Sequence, residues 1–185
     1  SLAEAHQRNL VHRDIKPSNL YACRAGVEVD FIKVLDFGLV KETVPGQAAD
    51  LKLTAADALT GTPAFMAPEL ALGDPDVDHL VDIYALGCTA YWLLTGELPF
   101  YATNTVQMLF KQANEAPPKP SAKAKFPVPP AVDAMVLACL ASRPDQRLTA
   151  TAVAERTRLG LPTVMKLLKS FHRAGIVTST RGAHG

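Results

Sequence analysis

Little in this 185-residue sequence points to a membrane, a disulfide scaffold or a secretory route. Its three cysteines, Cys23, Cys88 and Cys139, are odd in number, far apart and form no CxxC pair. That spacing argues against a disulfide framework or a structural metal site and fits small buried thiols in a reducing compartment, with the cytoplasm as the default. The longest nearly unbroken apolar run, IYALGCTAYWLL at 83–94, falls short of the roughly 20 residues that span a bilayer, and reads as a core helix. The opening SLAEAHQRNL lacks the basic-then-apolar order of a signal peptide. No internal repeat is visible.

The composition that remains is globular. Hydrophobic residues make up 48% and charged residues 20%, enough apolar surface for a sizeable core and far from a disordered composition. Length suits one domain with a small appendage. Net charge is only +1, but it is unevenly placed. Residues 152–185 carry six Lys and Arg against the single acid Glu155, while residues 1–151 hold 13 against 17. Two pieces with different partners are implied.

Along the chain, Leu2, Ala5, His6 and Leu10 are spaced to give one apolar side of a helix over 1–9. FIKVLDF at 31–37 alternates and reads as a strand, hairpinned with YACRAGVEV at 21–29. From 41 to 60 the composition turns to Thr, Ala, Gly and Asp without apolar periodicity, which reads as a loop. Helical patterns cover about 79–95, 103–113 and 131–141. Between them NEAPPKPSAKAKFPVPP, at 114–130, holds six of the 14 prolines, which forbids regular helix and predicts an extended connection. Near the end, Pro162 suits a first helical turn and Gly175 a stop, with Val164, Leu167, Leu168 and Phe171 spaced i, i+3, i+4, i+7.

Four short segments in order carry the chemistry: HRDIKPSN (12–19), DFG (36–38), GTPAFMAPE (61–69) and DIYALG (82–87). Each alone is weak; the ordered set resembles the C-terminal lobe of a Hanks-type bacterial serine/threonine protein kinase over about residues 1–150. The fold this implies is mainly α, a helical kinase-like lobe with short β-hairpins, followed by a small helix-turn-helix-like segment at 151–185. The resemblance implies phosphoryl transfer from ATP with Mg2+ to hydroxyls of protein substrates, a reaction governed by alignment and charge neutralisation. It assigns Asp14 to accept the hydroxyl proton, Lys16 to neutralise the moving phosphoryl group, and Asn19 and Asp36 to supply the hard oxygens Mg2+ prefers. Lys16, Asn19 and Asp36 thereby hold the nucleotide and its metal. Thr62 is expected to hydrogen-bond Asp14 and Lys16.

Other positions gain regulatory or structural roles from the same resemblance. Arg13, just before Asp14, pairs in this family with a phosphorylated activation loop, for which Thr54 or Thr60 is the expected phosphosite. His12 is expected to pack as a structural histidine, Glu69 to pair with Arg147, and Asp82 to tie down the catalytic-loop backbone. Trp92 is expected in the core. The 185 residues contain no glycine-rich GxGxxG loop, no VAIK-type lysine strand and no partner glutamate upstream of the catalytic loop, so the kinase N-lobe is absent. Taken alone, the chain is expected to bind ATP weakly and to be inactive.

The tail, about 152–185, resembles the helix-turn-helix and first wing strand of bacterial winged-helix regulators of iron–sulfur cluster assembly, carried by LPTV, KLL and AGIVTSTRGAHG. That resemblance implies contact of Thr163, Lys166, Lys169 and Ser170 with phosphates or base edges of DNA, and places Arg181 and His184 in a wing. Two alternatives therefore stand beside the kinase: a DNA-binding regulator with a kinase-like part, and an inactive fusion joined near 148–155.

Overall fold

In a computed structural model that describes residues 2–25, 28–35 and 63–156, the chain forms one β-hairpin and a set of helices. Helix α1 (Leu2–Gln7) leads into the loop Leu10–Lys16, which has no regular structure and closes in a single 3-10 turn at Pro17–Asn19. Pro17 opens that turn at a position where its missing N–H costs nothing. The antiparallel strands β1 (Leu20–Ala25) and β2 (Glu28–Val34) follow, with Leu20 opposite Val34 and Tyr21 opposite Lys33. The hairpin is therefore confirmed, but its turn falls earlier than the sequence reading placed it. Residues 28–29 belong to the second strand, which starts at Glu28 and pairs it with Ala25.

After the described chain resumes, a 3-10 turn at Pro63–Phe65 precedes the short helix α2 (Pro68–Ala71). Helix α3 (Leu80–Thr95) is the centre of the molecule. Val81, Ile83, Tyr84, Cys88, Tyr91 and Leu94 are buried on one side of it and Asp82, Ala85 and Thr89 on the other, so burial extends round most of its circumference. A helix of that kind must be enclosed by others. It ends at Gly96, whose φ of 74° takes the left-handed conformation that closes a helix without a Cβ penalty. Helix α4 (Thr105–Asn114) starts from Asn104, whose side chain accepts from the Gln107 N–H at 2.9 Å. Helix α5 (Pro130–Cys139) lies against α3, and α6 (Ala150–Arg156) returns to pack beside α1.

The proline-rich connection from 115 to 129 contains no α-helix, as its composition requires, though Pro120–Ala122 tightens into a 3-10 turn. Two hydrogen bonds from Ser121, through its N–H and its hydroxyl, pin that turn to the buried carboxylate of Asp133 on α5. Val11, Ala67, Val77, Tyr84, Val132 and Leu140 meet in the main core around α3, and Phe100 and Met108 form a smaller cluster with Ala64. Trp92 is only half-buried; the fully enclosed aromatics of α3 are Tyr84 and Tyr91.

Candidate active site

The loop between α1 and β1 is held by groups distant in sequence. Asp82, in the first turn of α3 and fully buried, accepts from the His12 N–H at 2.8 Å and from the Arg13 N–H at 2.7 Å, one on each carboxylate oxygen. His6 of α1 adds a third bond, its Nε2 lying 2.8 Å from Asp82 Oδ2. A buried carboxylate is tolerated when its lone pairs meet donors in this way. Arg13 takes φ 63°, the left-handed region that a non-glycine residue enters only when its surroundings hold it there.

His12 is completely buried and bridges the loop to the hairpin. Its Nδ1 faces the Asp14 N–H at 3.2 Å, and its Nε2 faces the Leu35 carbonyl at 2.9 Å. An N–H only donates and a carbonyl only accepts, so the proton sits on Nε2 and the imidazole is in one fixed tautomer. Leu35 is gripped from both sides, since its own N–H donates to the Asn19 carbonyl at 2.8 Å. The residue preceding Asp36 in sequence is thereby tied to both His12 and Asn19.

Asp14, Lys16 and Asn19 come together. Lys16 Nζ lies 2.8 Å from Asp14 Oδ2, with side chains 23% and 32% exposed, so the pair faces solvent in part. Asn19 is buried and its Nδ2 donates to the Asp14 carbonyl at 2.8 Å and to Asp14 Oδ2 at 2.9 Å. Both partners are acceptors only, which fixes the amide with its nitrogen toward Asp14. Among the described residues Oδ1 has only a long 3.5 Å contact from the Ser18 hydroxyl, and that neutral oxygen suits a hard cation such as Mg2+. Asp36, Thr54, Thr60 and Thr62 lie outside the described residues, as do Thr163, Lys166, Lys169, Ser170, Arg181 and His184.

A cavity of about 40 Å³ opens beside this cluster, walled by Arg13, Asp14 and Ile15 from the loop and by Phe65, Met66 and Ala67 from the segment after Pro63. Nε and Nη1 of Arg13 are buried with no hydrogen-bond partner among the described residues. The segment 63–67 is itself anchored, because Gln112 on α4 donates from Nε2 to the Pro63 carbonyl at 3.0 Å.

Glu69 and Arg147 meet in a buried two-pronged ion pair, with Nη1 on Oε1 and Nη2 on Oε2. Arg147 uses its remaining donors on the carbonyls of Ala141, Ser142 and Leu80, and its guanidinium lies 4.9 Å from the Tyr84 ring centre. All five N–H groups are engaged, which is what a buried guanidinium requires. Burial pushes the Tyr84 hydroxyl and the Cys88 thiol well above their ordinary ranges, and pushes the Cys139 thiol up to about 11.

Two anchors escaped the sequence reading. His6 reads there as one member of an apolar stripe, and Gln112, which the sequence reading did not single out, lies four residues after Met108 on the buried side of α4. A polar residue on the buried face of an otherwise apolar stripe is the signal that marks both.

Comparison with known proteins agrees with this geometry. The profile of the protein kinase domain matches residues 1–157. The chain belongs to the protein kinase family. It is 40% identical to serine/threonine-protein kinase Pkn1 of Myxococcus xanthus over 82% of its length, and 38% identical to pkn3 of the same organism over 80%. Against serine/threonine-protein kinase PknB of Mycobacterium leprae it is 31% identical over 98% of the chain. The chain spans only 21%, 27% and 28% of those three relatives. A second profile, the IclR helix-turn-helix domain, matches residues 134–181. It bears out a helix-turn-helix likeness at the C-terminal end, through that type of domain. Residues common to both profiles include the end of α5, which is built into the kinase core around α3. No helix among the described residues is long and apolar enough to cross a membrane.

Proposed function

We propose that residues 1–150 are the catalytic lobe of a serine/threonine protein kinase. Completed by a nucleotide-binding N-terminal lobe, it transfers the γ-phosphate of ATP to serine and threonine hydroxyls of proteins. The observation that carries this reading is the cluster of Asp14, Lys16 and Asn19, held to the core by backbone bonds to Asp82 and by the bridging His12. Asp14 accepts the proton of the incoming hydroxyl. Lys16 already lies at Asp14, so a phosphoryl group delivered to one meets the positive charge of the other. Asn19, through Oδ1, and Asp36 would hold Mg2+, which when bound supplies positive charge to the nucleotide phosphates. Thr62 would contribute a hydrogen bond to Asp14 and Lys16, a role taken from the family resemblance.

Arg13 is the proposed regulatory contact. Its buried Nε and Nη1, without partners among the described residues, suit a phosphate on Thr54 or Thr60. The decisive experiment is phosphotransfer by the completed kinase domain with radiolabelled ATP and Mg2+. Label on serine or threonine of an added protein, lost on chelation, is the expected result; no incorporation under any metal condition overturns the reading.

A second reading is favoured by one observation, the helix-turn-helix match together with the excess of base in residues 152–185. Residues 151–185 would then contact duplex DNA through Thr163, Lys166, Lys169, Ser170 and Arg181. Its test is duplex retention that falls with salt and with Lys166→Ala and Lys169→Ala. No retention at low salt removes it.

A further inference from the structure

We propose that Gln112 of α4 is a positioning residue for the acceptor protein: by holding the Pro63 carbonyl, it sets the stretch 65–67 that shares a cavity with Asp14. The acceptor and the role of Asp14 are those of the proposed function, and the inference rests on that reading.

A hydroxyl that gives its proton to Asp14 must come up to that carboxylate, so the chain carrying it passes the cavity beside it. Asp14, Phe65, Met66 and Ala67 line that cavity together. How residues 65–67 stand is decided just before them. Pro63 opens a 3-10 turn, and its carbonyl accepts from the Met66 N–H at 3.1 Å. The proline ring locks φ, which leaves ψ, and with it the direction of the carbonyl, as the soft angle of that residue. Gln112 Nε2 donates to the same oxygen at 3.0 Å, from a helix 49 residues further along the chain. Ala64 packs with Phe100 and Met108, which holds the segment against α4. Apolar contact is non-directional, however, and does not fix the rotation of a peptide plane. A hydrogen bond is directional and does.

Gln112 is only 1% exposed, on the side of α4 that also buries Met108. An amide buried there costs free energy that only its hydrogen bonds offset, a cost an apolar side chain would avoid. The Pro63 carbonyl accepts, so the amide nitrogen faces it. Oε1 is buried without a partner among the described residues. The bond to Pro63 is therefore what glutamine contributes at this position, and through it α4 governs a wall that it does not itself form.

The test compares Gln112→Met, which keeps the length and loses the donor, with Gln112→His, which keeps an N–H at similar reach. In the completed kinase domain, with dephosphorylated casein as acceptor, KM for casein should rise about fivefold in Gln112→Met while kcat holds, the loss expected for one neutral hydrogen bond. KM for ATP, and the hydrolysis of ATP without acceptor, should stay at the parent values. Gln112→His should restore the KM for casein. A general loosening of the lobe would instead impair hydrolysis and transfer together, with no rescue by His. An unchanged KM for casein in Gln112→Met overturns the proposal, as does hydrolysis falling in step with transfer, or His failing equally with Met. Should Gln112→Met unfold, NMR of the unsubstituted 185-residue chain decides. A scalar coupling across the bond from Gln112 Nε2 to the Pro63 carbonyl carbon supports the proposal, and its absence overturns it. That arm involves no phosphotransfer, so a parent domain that transfers no phosphate would sink the kinase reading while the coupling still decides whether Gln112 holds Pro63.

Discussion

Asp14 sits among three kinds of support, each set by a single residue. Lys16 balances its charge, Asn19 holds its carboxylate and carbonyl, and His12 accepts its N–H. The types and spacing of Asp14, Lys16 and Asn19 were legible in HRDIKPSN as the family pattern, because a short extended loop brings residues so spaced close together. His6 and Gln112 were not legible as anchors. Their partners, Asp82 and Pro63, are 76 and 49 residues away, and local spacing says nothing about a partner that distant. At this scale the buried thiols give a pH prediction. Cys139 is raised from its ordinary 9.0 to about 11 by burial, which disfavours the thiolate. Below pH 9 both folded and unfolded chains keep the proton, and the stability is fully present. Between 9 and 11 only the unfolded chain releases it, so stability should fall by roughly 2 kcal/mol from this group, and Cys88 and Tyr84 extend the loss further into base. Tm measured from pH 8 upward should decline past 9, less steeply in Cys139→Ala; a flat profile would contradict the assignment.

Elements were read well where a regular period met clear stop signals. Helix α3 was visible as an apolar run within a helical pattern at about 79–95, and the structure closes it at Gly96; α5 begins at Pro130, where the proline-rich stretch ends. The hairpin turn was misplaced because strand alternation does not by itself say where the chain reverses. Packing between elements was invisible, and Gly87 shows why. It lies mid-helix in α3, where alanine would ordinarily be favoured by up to about 1 kcal/mol. A Cβ there would stand 2.8 Å from the Cβ of Cys139, at the end of the facing α5, and 3.1 Å from Cγ of Leu140 just beyond it. Gly87→Ala is therefore expected to destabilise by about 1–3 kcal/mol, reversing the intrinsic preference. The offending atom of Cys139 is its Cβ, so Cys139→Ala should not rescue the variant. Denaturant midpoints of the single and double variants check both statements, and a Gly87→Ala as stable as the parent would show that α3 and α5 do not approach this closely.

At the scale of the whole molecule, Glu69 and Arg147 join α2 to the turn before α6 across 78 residues, with α3 between them through Leu80 and Tyr84. This pair was foreseen from the family pattern, whereas the three carbonyls that complete Arg147 were not, since backbone acceptors leave no mark in a sequence. Arg147→Lys keeps the charge but loses the fork, and should lower stability by about 3 kcal/mol and Tm by roughly 10 °C. Thermal unfolding followed by circular dichroism reads this directly, and an unchanged Tm would mean that the pair does not hold the lobe together. The central claim remains that Asp14 is the acid–base centre of a lobe whose remaining architecture exists to aim it. It is tested most directly by Asp14→Asn in the completed kinase domain, with rate and fold measured on the same sample. Phosphate transfer should fall to background while Tm and the dichroism spectrum stay at the parent values. Transfer at the parent rate in that variant would contradict the account.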